Sequence, residues 1–170
     1  MKDRKTIYFV EGQCEEVIVR SLIQDFHLLP PGRIKVLNIS QRRFPQSLMF
    51  SLIPGTCVVF IFDTDTGTPH TVRENIVAIE RMTTDVEVIV IPQCRNLEDE
   101  LIYSCSLKEI RQITGSRSNK NFKHDLIHAS NVHSLLKSCG FNFARLWSRK
   151  ADMEWEILRQ GEIKSSRKRK

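Results

Sequence analysis

Carboxylates directly follow two apolar runs of this chain. Glu11 comes after a run that ends at Val10, and Asp63 and Asp65 come after a run that ends at Phe62. Continuous apolar runs are typical of buried parallel strands, and in open α/β sheets sites form outside the carboxyl ends of the strands. Carboxylate oxygens gathered at such an edge are hard ligands that suit Mg²⁺ or Mn²⁺. The sequence therefore predicts a metal site at one edge of a parallel sheet.

The elements that would position these residues alternate along the chain. Predicted strands cover residues 6–10, 34–39, 57–62 and 86–91, and predicted helices cover residues 14–26, 45–53 and 72–82. This alternation predicts a parallel four-stranded sheet with right-handed crossovers. After residue 96 the pattern becomes mainly helical. It predicts helices over residues 97–102, 107–113 and 122–139, the last broken near residue 130, then a strand or extended segment over 141–147 and a short helix over 152–159.

Together, the Glu-Gly at Glu11 and the Asp-x-Asp at Asp63 and Asp65 resemble the motifs of the Toprim domain. Type IA and type II topoisomerases, bacterial primases, the ribonucleases that mature 5S ribosomal RNA and the overcoming-lysogenization-defect (OLD) nucleases share that domain. The resemblance covers residues 5–105 and implies a Toprim-like, Rossmann-like α/β fold. It also implies Mg²⁺- or Mn²⁺-dependent hydrolysis of phosphodiesters in DNA or RNA. Asp63 and Asp65 would be catalytic metal ligands, and Glu11 would be either a metal ligand or a general acid/base near the scissile phosphate.

The resemblance implies further metal ligands as well. The Glu-Gly-x-x-Glu form of the OLD nucleases points to Glu15, with Glu16 as the neighbouring alternative. A late acidic residue after the fourth strand points to Glu98, with Glu100 as the alternative. An acidic first helical turn, favoured by the helix dipole, would explain Glu15 or Glu98 without a metal. Many topoisomerases and primases carry a third aspartate where this chain has Gly67, which leaves open how a second metal would be held.

Charge is unevenly distributed along the 170 residues, whose formal net charge is +6. Residues 1–105 hold 11 Lys and Arg against 14 Asp and Glu, whereas residues 106–170 hold 15 against 6. We therefore expect a Toprim-like catalytic core over residues 1–105, a basic helical extension over 106–162 and a disordered basic tail over 163–170. A basic surface beside an acidic site fits a polyanion substrate. The cations expected to contact nucleic acid are Lys120, Lys123, Arg145, Arg149 and Lys150.

Other classes of protein fit less well. The chain has no apolar stretch long enough to span a membrane and no signal-peptide pattern, so we expect a cytoplasmic protein without a membrane partner. Haloacid-dehalogenase phosphatases place Asp-x-Asp after their first strand, not their third. Glycine-rich Walker and Rossmann phosphate loops are absent. The spacing of His124, His128 and His133 matches no established zinc pattern.

Partners follow only from the resemblance. OLD nucleases usually carry an ATPase domain in the same chain, and no such domain is recognisable here. An ATPase subunit acting in trans, in a phage-defence setting, is therefore one expected partner besides DNA or RNA. The alternative is a non-catalytic nucleic-acid-binding or complex-forming module on a Toprim scaffold. The sequence leaves the oligomeric state open.

Overall fold

Four parallel strands form a sheet in the described part of this α/β protein, and helices cover both of its faces. The computed structural model describes residues 5–82, 85–156 and 158. The strands are β1 (Thr6–Val10), β2 (Gly32–Val36), β3 (Cys57–Asp63) and β4 (Glu87–Gln93), in the spatial order β2-β1-β3-β4. The parallel four-stranded α/β sheet that the sequence predicts is thereby confirmed.

Helices connect the strands and then account for about half of the described chain after β4. The long ones are α1 (Gln13–Gln24) and α3 (Pro69–Met82), each of which buries one apolar face against the sheet. The shorter ones are α2 (Gln46–Met49), α4 (Leu97–Cys105), α5 (Arg111–Thr114), α6 (Phe122–His128), α7 (Val132–Ser138) and α8 (Met153–Glu156). Among the described residues, none of these helices has the length and apolar character needed to cross a membrane.

Several predicted element boundaries were wrong for identifiable reasons. β4 continues through Pro92 to Gln93, because β4 is an edge strand, where a missing N–H is tolerated. β2 begins at Gly32 and ends at Val36, so the apolar residues Leu37 and Ile39 pack outside the strand. The predicted helix over 107–113 is reduced to α5, since the side chain of Gln112 accepts hydrogen bonds from two preceding backbone N–H groups.

The predicted strand or extended segment over residues 141–147 was also wrong. Successive turns occupy this stretch, with the N–H of Arg145 donating to Asn142 and the N–H of Leu146 donating to Phe143. The predicted break in the helical region 122–139 is confirmed, because α6 ends at His128 and α7 begins at Val132. The predicted tail over 163–170 lies outside the described residues.

Two hydrophobic cores lie on opposite faces of the sheet. Along β1, Tyr8 and Val10 enter one core, whereas Ile7 and Phe9 enter the other, as the two-residue period of a strand requires. The segment after α4 contributes Trp147 to the first core and Trp155 to the second. The described residues that follow the predicted catalytic core therefore cover both faces of the sheet, and their buried apolar side chains belong to the two cores named above.

A buried carboxylate ties this covering segment to the sheet. Glu100 is fully buried, and its two oxygens accept the backbone N–H groups of Cys94 (2.8 Å) and Trp147 (3.0 Å). The guanidinium of Arg149 lies 3.5 Å from the same carboxylate. Glu100 thus connects the loop after β4, helix α4 and the turn at Trp147, whose backbone is left-handed with φ 60°.

Replacing this carboxylate tests its structural role. Glu100→Ala should lower the free energy of unfolding by about 3 kcal/mol, because it strands two buried N–H groups and removes a carboxylate that faces Arg149. Urea denaturation measures the loss. The control Glu154→Ala, at an exposed position on α8, should change stability by about 0.5 kcal/mol or less. An equally small loss in Glu100→Ala would contradict this account.

Candidate metal centre

The strand register brings Glu11 and Asp63 to the same edge of the sheet. β1 and β3 are neighbours in which Val10 lies opposite Ile61, so the residues that follow them emerge side by side. Helices α1 and α4 begin at this edge and add Glu15 and Glu98 from their first turns. The predicted carboxylates therefore come from four different elements to the carboxyl edge of the sheet, as the sequence suggested.

Glu11 is held by a serine from the loop after β2. The hydroxyl of Ser40 lies 2.5 Å from Glu11 Oε1 and also 2.9 Å from Asn38 Oδ1. The backbone N–H of Asp63 gives the Glu11 carboxylate a second partner. Burial is the main cause that raises the pKa of Glu11 to about 7, with smaller contributions from neighbouring carboxylates and an opposing one from the Ser40 hydrogen bond.

The close contact between Gly67 and Ser40 leaves no room for a third aspartate at position 67. Its φ is +77°, and a Cβ added there would stand 2.5 Å from the Ser40 hydroxyl and 2.6 Å from the Ser40 carbonyl oxygen. The next residue, Thr68, donates its N–H to that carbonyl at 3.1 Å. The loop after β3 thus packs its bare backbone against the serine that orients Glu11, and any side chain would displace it.

Glu15 caps the helix that carries it. It is the third residue of α1, is buried, and its carboxylate turns back to the backbone N–H of Gly12 and to its own N–H. This is the glutamate half of a capping box. A Cβ on Gly12 would lie 3.0 Å from Glu15 Oε2, so the glycine leaves room for the returning carboxylate. Glu16, the alternative to Glu15, pairs instead with Arg20.

Asp63 and Asp65 are each held by an amide side chain, the first at the end of β4 and the second in the loop that follows it. The Nε2 of Gln93 donates to Asp63 Oδ1 at 3.0 Å, and the Nδ2 of Asn96 donates to Asp65 Oδ2 at 2.8 Å. Asp63 is half-buried, whereas Asp65 is exposed. Asn96 also caps α4 by accepting the N–H of Asp99. The second aspartate is therefore tied to the start of the helix that carries Glu98.

Backbone hydrogen bonds join the loops that carry these residues. The N–H groups of Thr64 and Asp65 both donate to the carbonyl of Arg95, at 2.7 and 3.1 Å. Arg95 has a left-handed backbone with φ 68°. This conformation is uncommon for residues other than glycine and occurs mainly in turns and at functional sites. The hydroxyl of Thr64 in turn donates to the carbonyl of Gln93 at 2.8 Å.

Glu98 has a basic partner from the C-terminal half of the chain. The Nζ of Lys123, on α6, lies 2.8 Å from Glu98 Oε1, and this hydrogen bond is the main cause that raises the pKa of Lys123. The lysine side chain is 65% exposed, so it can still be reached by a ligand. Glu100, the alternative to Glu98, is occupied by its structural hydrogen bonds.

The other basic candidates lie in different surroundings. Arg145 and Arg149 are half-buried and stack on the ring of Tyr103, with guanidinium carbons 4.3 and 4.7 Å from its centroid. Arg149 also faces Glu100, so it has a structural role that the sequence did not suggest. Lys120 and Lys150 are exposed. Of the five predicted cations, the structure brings Lys123 into direct contact with a predicted carboxylate.

The carboxylates influence one another without forming a closed coordination shell. Burial, followed by the charges of Glu15, Glu11, Asp65 and Glu98, raises the pKa of Asp63 to about 8. Burial likewise raises the pKa of Glu15. Within residues 5–82, 85–156 and 158, however, no three carboxylate, imidazole or thiol side chains stand close enough together to hold one ion. The described positions thus supply oxygen donors at one edge, but not in a coordinating arrangement.

No protein-family model, curated protein or solved structure matches this chain. The Toprim resemblance therefore rests on the two motifs and on their placement in the fold.

Sequence reasoning missed three residues that orient the carboxylates: Ser40, Gln93 and Asn96. Asn96 had a visible signal, because an asparagine before an acidic helical turn is a typical N-cap. Gln93 was overlooked because the strand was expected to stop before Pro92. Ser40 lies in an irregular loop, and no periodic pattern points to it.

The contact between Gly67 and Ser40 can be tested with a matched pair of glycines. Gly67 and Gly140 both have left-handed backbones, but a Cβ on Gly140 would meet nothing within 4 Å. Gly140→Ala should therefore lower the free energy of unfolding by about 1 kcal/mol, because of its left-handed backbone alone. Gly67→Ala should cost clearly more, because its methyl group displaces Ser40. Urea denaturation compares the two, and equal losses would contradict the packing described.

The raised pKa values predict how stability depends on pH without divalent cations. Folded Glu11 and Asp63 keep protons until pH values of about 7 and about 8, whereas in the unfolded chain they lose them near pH 4. Between these limits the folded state binds more protons, so the free energy of unfolding should fall as pH rises from about 5 to about 8. Urea midpoints measured in EDTA report the trend.

Two variants separate this effect from other titrations. Asp63→Asn should flatten the decline, because it removes one of the carboxyl groups whose pKa is raised. Asp25→Asn, at the far end of α1, should leave it unchanged. Stability that rises over this pH range in the wild type would contradict the raised pKa values.

Proposed function

We propose that this protein is a metal-dependent phosphodiesterase of the Toprim type that hydrolyses DNA or RNA. The observation that carries the proposal is the gathering of Glu11, Glu15, Asp63 and Glu98 at one sheet edge, with exposed Asp65 beside them. A purely structural role does not explain several carboxylates at this edge, since each charged carboxylate raises the free energy of its charged neighbours. A function that uses concentrated negative charge accounts for their presence.

The chemistry of the donor set fits Mg²⁺ or Mn²⁺. All the candidate ligands are hard oxygen donors, and both ions favour such ligands. Within residues 5–82, 85–156 and 158, Glu11 and Asp63 have no ion-pair partner, and their pKa values are raised to about 7 and about 8. A bound divalent cation would supply that charge, lower the pKa of a water molecule and neutralise phosphate oxygens.

The residues of the chain would divide the remaining work. Asp63 and Asp65 would bind the cation, with orientations fixed by Gln93 and Asn96. Glu11, held by Ser40, would bind it from the neighbouring strand or hold a proton next to the phosphate. Glu15 and Glu98, in the first turns of α1 and α4, would supply further carboxylate oxygens for the cation.

The substrate surface would be supplied by the C-terminal half of the chain. Lys123 already contacts Glu98, and an incoming phosphate would compete for its ammonium group. Lys120 and Lys150 are exposed and would contact phosphates farther along the strand. An ATPase subunit in trans and a phage-defence setting follow from the resemblance to OLD nucleases, and together with the cytoplasmic location expected from the sequence they complete the proposal.

One observation favours a second candidate function. The described carboxylates do not form a group of three that could hold an ion. A non-catalytic nucleic-acid-binding or complex-forming module would keep the scaffold and its basic surface without needing that group. Catalysis requires a cation to draw the carboxylates together, whereas binding does not.

A charge-removing substitution at Asp63 tests catalysis. Asp63→Asn keeps the shape of the side chain but removes a negative ligand, so metal-dependent cleavage of DNA or RNA should fall by about 10²–10³-fold. Asp25→Asn, which makes the same change at the far end of α1, should cleave like the wild type. Cleavage is measured on single- and double-stranded DNA and RNA with Mg²⁺ or Mn²⁺, and binding should persist in both variants.

The outcomes separate the two candidates. Mg²⁺- or Mn²⁺-dependent cleavage that survives Asp63→Asn would rule out this mechanism. Absence of cleavage by the wild type, together with salt-sensitive binding, would instead support the binding module.

A second substitution set tests the nucleic-acid surface. Replacing Lys120, Lys123 and Lys150 together by Ala should weaken nucleic-acid binding. The slope of the logarithm of the binding constant against the logarithm of salt concentration should fall by about one for each phosphate contact that is lost. Removing Arg33 and Lys35 from β2, the edge strand, is the control and should change neither quantity. Fluorescence anisotropy across a salt series measures both. An unchanged salt slope in the lysine variant would place the substrate elsewhere.

A further inference from the structure

A buried amide at the end of β4 is only half satisfied. Gln93 is fully buried and lies directly opposite Asp63 in the sheet. Its Nε2 donates to Asp63 Oδ1 at 3.0 Å. Its Oε1 is also buried, yet it has no hydrogen-bond partner among the described residues.

Another buried amide shows what a purely structural role looks like in this protein. Asn75 is 2% exposed, and its Oδ1 accepts the N–H of Phe44 at 2.7 Å. Its Nδ2 donates to the carbonyls of Ile39 and Arg42, both at 2.9 Å. Every polar atom of that side chain is used within the fold. Buried polar atoms are paired in the great majority of cases, so the unpaired oxygen of Gln93 requires an explanation.

The position of Gln93 suggests what its oxygen would bind. The satisfied half of the amide contacts Asp63, the last residue of β3, whose pKa burial raises to about 8. The backbone carbonyl of Gln93 also accepts the hydroxyl of Thr64, so the residue contacts the Asp-x-Asp turn twice. A missing hydrogen-bond donor at this place would belong to a ligand of the carboxylate cluster.

We propose that Gln93 is a positioning residue whose N–H orients the Asp63 carboxylate and whose amide oxygen accepts a hydrogen bond from a water molecule held by a bound divalent cation. The inference rests on the proposed function, because it assumes that the carboxylates bind the cation. A neutral amide suits this role: it orients Asp63 without adding to the negative charge, and it offers an oxygen where a lysine would offer only donors.

Metal binding without substrate tests the inference. Gln93→Met removes both polar atoms and keeps a similar length, and it should weaken Mn²⁺ binding by about 10–100-fold, the usual loss for a partner behind the ligands. Gln112→Met is the matched control. The side chain of that glutamine accepts the N–H groups of Lys108 and Glu109, away from the carboxylates, so its Mn²⁺ affinity should equal that of the wild type. Electron paramagnetic resonance of free Mn²⁺ gives the dissociation constants.

The possible results separate this inference from the proposed function. If the wild type binds no Mn²⁺, both fail. If the wild type binds Mn²⁺ and Gln93→Met binds it with unchanged affinity, the positioning role fails while the metal site stands. A loss of thermal stability in Gln93→Met with wild-type Mn²⁺ affinity would show that Gln93 serves the fold alone.

A measurement on the unmodified chain covers the case in which Gln93→Met does not fold. In wild-type protein labelled with ¹⁵N at its glutamine side chains, saturating Mg²⁺ should shift the side-chain amide resonance of Gln93 and leave that of Gln112 in place. An unshifted Gln93 resonance would overturn the inference.

Discussion

Mutual repulsion among carboxylates is the constraint on which the carboxyl edge of the sheet depends. Glu11 and Asp63 emerge from adjacent strands, and the pKa of each is raised by burial and by acidic neighbours. Such groups would separate unless other contacts fixed them, and without a bound cation Glu11 and Asp63 keep their protons up to pH values of about 7 and about 8. The surrounding loops provide those contacts, so the edge holds together carboxyl groups that lose their protons only near or above neutral pH.

Most of these carboxylates are fixed by a neutral donor rather than by a cation. A hydroxyl holds Glu11, amides hold Asp63 and Asp65, and backbone N–H groups hold Glu15. Neutral donors orient a carboxylate without compensating its charge, which leaves the negative potential available to a ligand. Glu98 is the exception, since it pairs with Lys123 at the border with the basic half of the chain. This pairing places anion-binding and cation-binding chemistry next to each other.

Glu100 is an acidic residue close to this edge whose carboxylate has a structural role. Its carboxylate is enclosed and fully engaged by the backbone of Cys94 and Trp147 and by Arg149. It thereby fixes the loop after β4, which directly follows Gln93 and contains Asn96, the two residues whose amides contact the aspartates. The segment that covers the sheet and the candidate site are therefore linked through one buried carboxylate.

The sequence predicted the parts of this arrangement that follow from strand patterns. Continuous apolar runs located β1 and β3, and because parallel strands end at one edge, Glu11 and Asp63 could be placed together. It misplaced β2, since the apolar residues up to Ile39 looked like strand although Ile39 packs in the core beyond it. Ser40, Gln93 and the exclusion of a side chain at Gly67 depend on contacts between loops distant in sequence, which no local periodicity encodes.

The central claim is that these carboxylates form a site for one or more divalent cations. The most direct measurement is the anomalous diffraction of Mn²⁺ in crystals of the wild-type protein. The account predicts a strong peak at the carboxyl edge of the sheet, bonded to Asp63 and to at least one of Glu11, Asp65 and Glu15. The metal site would be contradicted by crystals saturated with Mn²⁺ that show no peak at this edge, with Glu11 still hydrogen-bonded to Ser40 and Asp63 still hydrogen-bonded to Gln93.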